Sequence, residues 1–198
     1  MQTATTVLEA IGNRGRKGLP LERLYRQLFN PELYLVAYGN LYGNAGAMTK
    51  GTTQETADAM SVAKIEDLIQ ALRFERFRWT PVRRVGIPKK DGKTRPLGIP
   101  TWTDKLLQEV LRLLLEAYFE PQFSPSSHGF RPRRGTQTAL KQIRHTGTGT
   151  KWFIEGISKD ASTASITRSC LGFSAKKSTM AALSVCSNIC SRLDIVRN

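Results

Sequence analysis

The chain has 198 residues, with 30 lysines and arginines against 16 acidic residues and a formal net charge of +14. This length suits one domain or a part of a larger protein, and the charge favours a polyanionic partner, nucleic acid first and an anionic membrane surface second. No apolar run reaches the ~18 residues of a membrane span and the N-terminus lacks a signal-peptide pattern, so we expect a cytoplasmic protein without a membrane partner.

Two helices and a loop are predicted in the first part of the chain. Residues 19–29 place leucines and a tyrosine at helical spacing, and residues 32–42 do the same after Pro31, which suits the first turn of a helix. Residues 40–53 (NLYGNAGAMTKGTT) are rich in glycine and small polar residues, which predicts a loop. This loop is either an ordinary surface loop or one whose Lys50 and backbone amides meet phosphates.

A third helix and a hairpin follow. Ser61 is the predicted N-cap of a helix over residues 62–73, which carries an apolar stripe. Residues 83–100 (RRVGIPKKDGKTRPLGIP) are predicted to form a β-hairpin, because Asp-Gly separates two short apolar runs. Prolines cannot donate a ladder hydrogen bond, so the three prolines of this segment favour short strands that project into solvent.

The hairpin is strongly basic. It carries six cations and one acid, Asp91, for a net charge of +5, and the cations are Arg83, Arg84, Lys89, Lys90, Lys93 and Arg95. Such density on a projecting hairpin suits a polyanion. The alternative is a solvated basic turn.

The long helix after the hairpin is the predicted core. Thr101 is its expected N-cap, and Asp104 is placed to return a hydrogen bond in the manner of a capping box. Apolar residues recur at three- and four-residue spacing over residues 106–118, a stripe too wide for a free surface helix.

A proline-broken loop, residues 124–134 (SPSSHGFRPRR), comes next. Phe130 lies between His128 and the three arginines Arg131, Arg133 and Arg134. An aromatic ring between guanidinium groups can stack on a base while the cations hold phosphate. Alternatively, Phe130 is a core anchor. Residues 136–145 are then predicted to be helical and residues 151–155 to form a strand.

Three segments, in this order and spacing, resemble group II intron reverse transcriptase/maturases: IPKKDGKTRPLGIPTWTDKLLQ, FEPQFSPSSHGFRPRRGTQTAL and WFIEG. The resemblance covers residues 19–156. It implies an α+β fold with residues 1–60 as the family's N-terminal extension and residues 61–156 as the fingers and first palm strand of a right-hand polymerase. In that arrangement helices pack the basic hairpin.

The resemblance also implies partners and site residues. In the family, the residues at the places of Lys89 and Arg95 contact the incoming deoxynucleotide triphosphate. The other expected partners are intron RNA and an RNA template–primer. The residues expected to bind RNA are Arg83, Arg84, Lys90, Lys93, His128, Phe130, Arg131, Arg133, Arg134 and Lys50.

The sequence departs from the family after Gly156. There the family continues into Asp-Ile-Lys-x-x-Phe-Asp, whose first aspartate binds catalytic Mg²⁺, whereas this chain reads ISKDASTASIT. Asp160 and Asp194 are the only acids beyond Gly156, and neither lies in a Tyr-x-Asp-Asp pattern. Two-metal chemistry needs a carboxylate cluster, so we expect this chain to hold no Mg²⁺, the family's cofactor, and we assign it no catalytic residue.

A single base lost after the Gly156 codon accounts for this departure. The first two bases of each observed codon are then the last two of the expected codon, and ISKDASTASIT converts to DIKGCFDSIDH. Residues 157–198 hold nine serines and one aromatic residue, so we expect an out-of-frame tail that is disordered or irregular. The three cysteines lie in this tail without metal-ligand spacing. The alternative is a natural divergent tail.

We therefore expect a truncated, catalytically inactive relative of RNA-directed DNA polymerases. A non-catalytic RNA-binding fragment and an inert product of a decayed mobile element are the alternatives.

Overall fold

The computed structural model describes residues 2–90 and 92–152. This part of the chain contains six α-helices and a two-stranded antiparallel sheet, in the order α1 Ala4–Arg16, α2 Leu24–Gln27, α3 Pro31–Tyr42, α4 Val62–Arg73, β1 Arg83–Pro88, β2 Thr94–Ile99, α5 Trp102–Phe119 and α6 Thr136–Thr146. Short 3-10 turns lie at Ala57–Ala59 and Glu120–Gln122. The combination confirms the α+β class.

Helix α5 is the centre of the hydrophobic core. Its Leu106, Leu107, Val110 and Leu114 side chains are completely buried, as the apolar stripe predicts. Helices α1 and α3 pack directly on α5, and α4 contributes to the same core. Fully burying a leucine is worth about 1.5–3 kcal/mol, so this one helix supplies much of the driving force for folding.

Helix α1 is an element that the sequence patterns do not predict. Thr3 caps it, accepting a hydrogen bond from the Thr6 backbone N–H (3.3 Å). Gly12 and Gly15 lower the helix propensity of the segment, yet both face α5. A Cβ atom on Gly15 would lie 2.1 Å from the Tyr118 carbonyl oxygen, and one on Gly12 would lie 3.3 Å from that of Ala117. The glycines therefore let the two helix backbones approach closely.

The predicted helix over residues 19–29 is wrong in extent, since only Leu24–Gln27 is helical. Arg23 has a φ of 55°, in the left-handed region, which stops α2 from extending toward its N-terminus. Leu24 and Leu28 are nevertheless buried, and the Tyr25 hydroxyl donates to the Leu72 carbonyl oxygen at 2.5 Å. The leucine spacing thus reports burial rather than a continuous helix.

The predicted helix caps are confirmed. Pro31 lies in the first turn of α3, Ser61 Oγ accepts from the Lys64 backbone N–H (3.3 Å), and Thr101 Oγ1 accepts from that of Asp104 (3.3 Å). The Asp104 carboxylate in turn accepts a hydrogen bond from the Thr80 backbone N–H (3.1 Å). The N-terminus of α5 therefore also holds the segment that leads into β1.

Two predictions fall at the end of the chain. Lys151 and Trp152 have no regular secondary structure, and the remainder of the predicted strand and the whole predicted tail lie outside the described residues. Among the described helices, none combines the length and apolar character needed to cross a membrane.

The contact between α1 and α5 leads to a test with a matched control. We expect Gly15→Ala to lower the free energy of unfolding by about 1–3 kcal/mol, because the new methyl group has to displace the Tyr118 carbonyl. Gly39, in α3, has no atom within 4 Å of its Cβ position, so Gly39→Ala is expected to stabilise the protein by up to about 1 kcal/mol. Urea unfolding of both variants measures the difference, and equal stabilities would contradict the close packing.

Candidate nucleic-acid interface

The basic hairpin has the predicted form. The antiparallel register pairs Arg83 with Ile99, Val85 with Leu97 and Ile87 with Arg95. At the turn, the Lys89 backbone N–H donates to the Lys93 carbonyl oxygen (2.7 Å), and Gly92 has a φ of 78°. A glycine accepts this left-handed conformation at little cost, so the turn is one that the sequence encodes locally.

The hairpin projects from the helical core. Side chains of paired residues share a face of the ribbon. One face therefore holds the apolar residues Val85, Ile87, Leu97 and Ile99, together with Arg83 at the base and Arg95 near the tip. Ile87 is 43% exposed and Leu97 is 42% exposed. All six cations of the hairpin are exposed as well. The charge is therefore presented to solvent on an arm that lacks a covering layer among the described residues.

Lys89 and Arg95, the predicted nucleotide-binding residues, lie at the tip end of this arm. Lys89 follows β1 directly, and Arg95 is the second residue of β2, paired with Ile87. Both side chains are exposed. This position gives them access to a polyanion from several directions.

Arg83, one of the residues predicted to bind RNA, makes a contact within the protein. Its Nε and Nη2 atoms both donate to the carbonyl oxygen of Lys50, at 3.1 and 2.8 Å. Lys105, in the first turn of α5, donates to the carbonyl oxygens of Thr49 (3.0 Å) and Gly46 (3.5 Å). Burial lowers the pKa of Lys105, and the positive charge of Arg83 lowers it further. Two cations thus hold the carbonyl groups of the loop over residues 43–56.

This loop is irregular, as predicted, but it is packed against its neighbours. Ala47 is buried against Trp102. A Cβ atom on Gly51 would lie 2.5 Å from the Pro100 carbonyl oxygen, so the loop backbone touches the end of the hairpin. Thr52 Oγ1 donates to the Pro81 carbonyl oxygen (3.1 Å). The Lys50 side chain is exposed beside this junction and is available to a phosphate.

Arg131 organises the loop over residues 124–134, which we call the arginine loop. Its side chain is only 8% exposed and pairs with the Glu120 carboxylate, with Nη2 2.8 Å from Oε1. The same guanidinium donates to the carbonyl oxygens of Ser124 and Ser127, at 2.9 Å each. The hydrogen bonds from Arg131 lower the pKa of Glu120. With its donors used in this way, Arg131 supports the loop.

His128 and Arg134 also have partners within the protein. His128 Nδ1 lies 2.9 Å from Thr138 Oγ1, and its Nε2 lies 2.5 Å from Gln142 Oε1, so the ring joins the loop to α6. Arg134 donates to the carbonyl oxygens of Pro125 and Ser127. These contacts hold the arginine loop in its conformation and attach it to α6.

Phe130 and Arg133 are the residues that this loop presents to solvent. Both have left-handed backbone conformations, with φ of 55° and 58°, and both are exposed, Phe130 completely. Phe130 is therefore not an anchor of the core formed by the described residues. A left-handed non-glycine residue costs about 1–3 kcal/mol, which the network around Arg131 and His128 offsets.

The supporting residues are the part of the site that sequence reasoning missed. Lys105, Glu120 and Gln142 each hold a loop in place, and nothing in their local sequence signals it, because their partners are backbone carbonyls or side chains that only the fold brings close.

Comparison with known proteins defines the class first. The profile described as Reverse transcriptase (RNA-dependent DNA polymerase) matches residues 87–161, from the end of β1 through α6 and beyond. The match thus includes the tip and second strand of the basic hairpin and the whole arginine loop.

The relatives then specify the family. The chain is 48% identical over 159 residues to the group II intron-encoded protein LtrA of Lactococcus lactis subsp. cremoris, covering 79% of this chain and 26% of LtrA. It is 46% identical over 134 residues to an uncharacterized 91 kDa protein in the cob intron of Schizosaccharomyces pombe, covering 67% of this chain and 17% of that protein. Nuclear intron maturase 1 of Arabidopsis thaliana is 44% identical over 57 residues, which are 29% of this chain and 8% of the maturase. The chain belongs to the group II intron reverse transcriptase/maturase family.

The bond between Arg83 and Lys50 leads to a test that does not require RNA. We expect Arg83→Gln to speed hydrogen exchange at the Ala47 and Thr49 amides, because it releases the loop that contains them. Lys90→Gln removes the same charge at the tip and is expected to leave exchange unchanged. Exchange followed by mass spectrometry on folded protein gives the comparison, and unchanged protection in Arg83→Gln would contradict the bracing role.

Proposed function

We propose that this chain is the RNA-contacting fingers portion of a group II intron reverse transcriptase/maturase and that it binds RNA without catalysing polymerisation. The observation that carries the proposal is the hairpin, whose six cations are exposed on an arm that projects from the core. Cations held on a fixed arm neutralise successive phosphates and release counterions, which is the main source of affinity for nucleic acid. The chain spans about a quarter of the length of LtrA, whose own name links it to a group II intron.

Within this proposal the cations have two roles, contact with RNA and support of the contacting residues. Lys50, Arg84, Lys90 and Lys93 provide exposed charge, and Phe130 with Arg133 offers a ring and a cation for an unpaired base and its phosphate. Lys89 and Arg95, at the tip, contact the triphosphate of a nucleotide, and in its absence the exposed charge of Lys89 adds to the affinity for RNA. Arg83, His128, Arg131 and Arg134 act by holding these groups in place, since their donors are bound to the protein.

Polymerisation is not assigned to this chain. The family generally uses Mg²⁺, which needs oxygen ligands from several carboxylates. In residues 2–90 and 92–152, no group of three or more potential metal ligands is present. The sequence after Gly156 supplies two separated aspartates, Asp160 and Asp194, which do not fit the family's metal-binding pattern.

The proposed loss of one base after the Gly156 codon can be checked at the third codon positions. Conversion to DIKGCFDSIDH requires each third base to be the first base of the next expected codon. Ile157, Lys159, Asp160 and Ile166 restrict that base, and the expected A, G, T and C complete them correctly as ATA, AAG, GAT and ATC. The profile match ends at residue 161, soon after Gly156, which also supports a change of frame at this point.

RNA binding is tested by its salt dependence. We expect the affinity for an unstructured RNA to fall steeply with salt, and Lys89→Gln/Lys90→Gln to reduce the slope of log affinity against log salt by about 1.4. Arg16→Gln/Lys17→Gln removes two exposed cations from the end of α1 and serves as the matched control. Filter binding with monomeric protein measures both. Affinity that ignores salt, or equal slopes in the two variants, would refute the proposal.

The reading frame is tested by the gene. Inserting one base after the Gly156 codon is expected to open a frame that continues beyond the codon for Asn198 and encodes a Tyr-x-Asp-Asp motif. The measurement is the DNA sequence of both strands across this region. A stop codon soon after the insertion would contradict the proposal.

A further inference from the structure

A second basic surface lies outside the hairpin and the arginine loop. Residues 73–78 read RFERFR, an alternation of arginines with aromatic residues at the end of α4. A turn ends the helix here: Glu75 takes a left-handed conformation (φ 57°), and the backbone N–H groups of Arg76 and Phe77 both donate to the Ala71 carbonyl oxygen, at 2.8 and 3.1 Å. This turn sorts the side chains into an inner and an outer set.

The inner set belongs to the core and the outer set to the surface. Phe77 packs edge-to-face on Trp79, with ring centroids 5.1 Å apart, and both rings contact the core. Phe74 remains 60% exposed, and Arg73 and Arg76 are exposed beside it. Arg78 donates to the Glu75 and Phe77 carbonyl oxygens (2.9 Å each), so it stabilises the turn itself.

Tyr25 of helix α2 and Phe29, two residues beyond its end, extend this surface. The Tyr25 hydroxyl bonds to the Leu72 carbonyl, and the Tyr25 and Phe29 rings meet edge-to-face at 5.3 Å. The Arg73 guanidinium lies over the Phe29 ring at 5.7 Å, and that of Arg76 lies over Phe74 at 5.5 Å. These contacts form two groups, which are joined where Arg73 and Phe74 are adjacent in the chain. We call Tyr25, Phe29, Arg73, Phe74 and Arg76 the arginine–aromatic surface.

The arrangement suits a single nucleic-acid strand. A guanidinium stacked on a ring keeps its N–H groups at the edge, where they reach phosphate oxygens. The exposed Phe74 ring has a face for a base, and stacking of this kind tolerates any sequence. Arg26 adds a further exposed cation, and Glu75 is an acidic residue beside these arginines. Burial raises the pKa of Tyr25, and the negative charge of Glu75 is the second, smaller cause. Arg26, Arg73, Arg76 and Glu75 together carry a net charge of +2.

We propose that the arginine–aromatic surface is a second contact site for single-stranded RNA and extends the path of a strand bound at the hairpin. The inference rests on the proposed RNA binding and names where the strand continues. Arg76 and Arg83 are seven residues apart, so their Cα atoms are separated by at most about 25 Å. At about 3.4 Å per stacked nucleotide, a strand spans this distance with at most about seven nucleotides.

The test is a length series of unstructured RNAs, from about 6 to about 20 nucleotides, titrated by fluorescence anisotropy. We expect the affinity of the unmodified chain to rise with length until both surfaces are occupied. In Arg73→Gln/Arg76→Gln the rise is expected to stop at a shorter RNA, by at most about seven nucleotides, and the salt slope for long RNAs is expected to fall by about 1.4. Phe74→Ala removes a largely exposed ring and is expected to reduce the affinity for long RNAs about fivefold or more.

Two controls separate this inference from the proposed function. Arg16→Gln/Lys17→Gln removes the same charge at the end of α1 and is expected to keep the full length dependence. Lys89→Gln/Lys90→Gln is expected to reduce the affinity for RNAs of every length. If Arg73→Gln/Arg76→Gln behaves like the α1 control while the hairpin variant loses affinity, the inference is overturned and RNA binding stands. If the unmodified chain shows no salt-dependent affinity at any length, both are overturned.

Discussion

The burial of α5 is the interaction on which the other elements depend. Its apolar face is covered by α1 and α3, and its N-terminus is the point where the remaining segments meet. Thr101 caps the helix, Asp104 holds the backbone at Thr80, and Lys105 holds the carbonyls of the loop over residues 43–56. The two strand ends of the hairpin are anchored at this same junction, so the stability of the core is transmitted to the base of the exposed arm.

The cations of this protein divide into two chemical roles. Arg83, Lys105, Arg131 and Arg134 donate to backbone carbonyl oxygens and replace the secondary-structure hydrogen bonds that irregular loops lack. Lys50, Lys89, Lys90 and Arg133 extend into solvent. Both types of cation serve the first role, since Arg131 and Lys105 each donate to two carbonyl oxygens. A lysine suits the second role because a mobile point charge adapts to phosphates in different positions.

This division matters for the proposed binding of RNA. A flexible loop would have to be ordered on binding, at a cost of about 1–2 kcal/mol per residue in backbone entropy. The loop over residues 43–56 and the arginine loop are already held by protein contacts, so the exposed groups on them are positioned before RNA arrives. Preorganisation of this kind increases affinity without adding contacts.

Local sequence signals determined the hairpin, the helix caps and the apolar stripe of α5, because each depends on residues that are close in the chain: the glycine of the turn, a hydroxyl three residues from its donor, leucines one turn apart. The family resemblance likewise depended on ordered motifs alone. Tertiary structure decided what the sequence patterns left open or misjudged. It made α1 a helix through glycines that fit against α5, and it limited α2 to four residues. It also brought carbonyls and a carboxylate that are distant in sequence within reach of the donors of Arg83 and Arg131. Charge counting on the sequence cannot distinguish an arginine that meets solvent from one that holds a loop, because the difference lies in the partner and not in the residue.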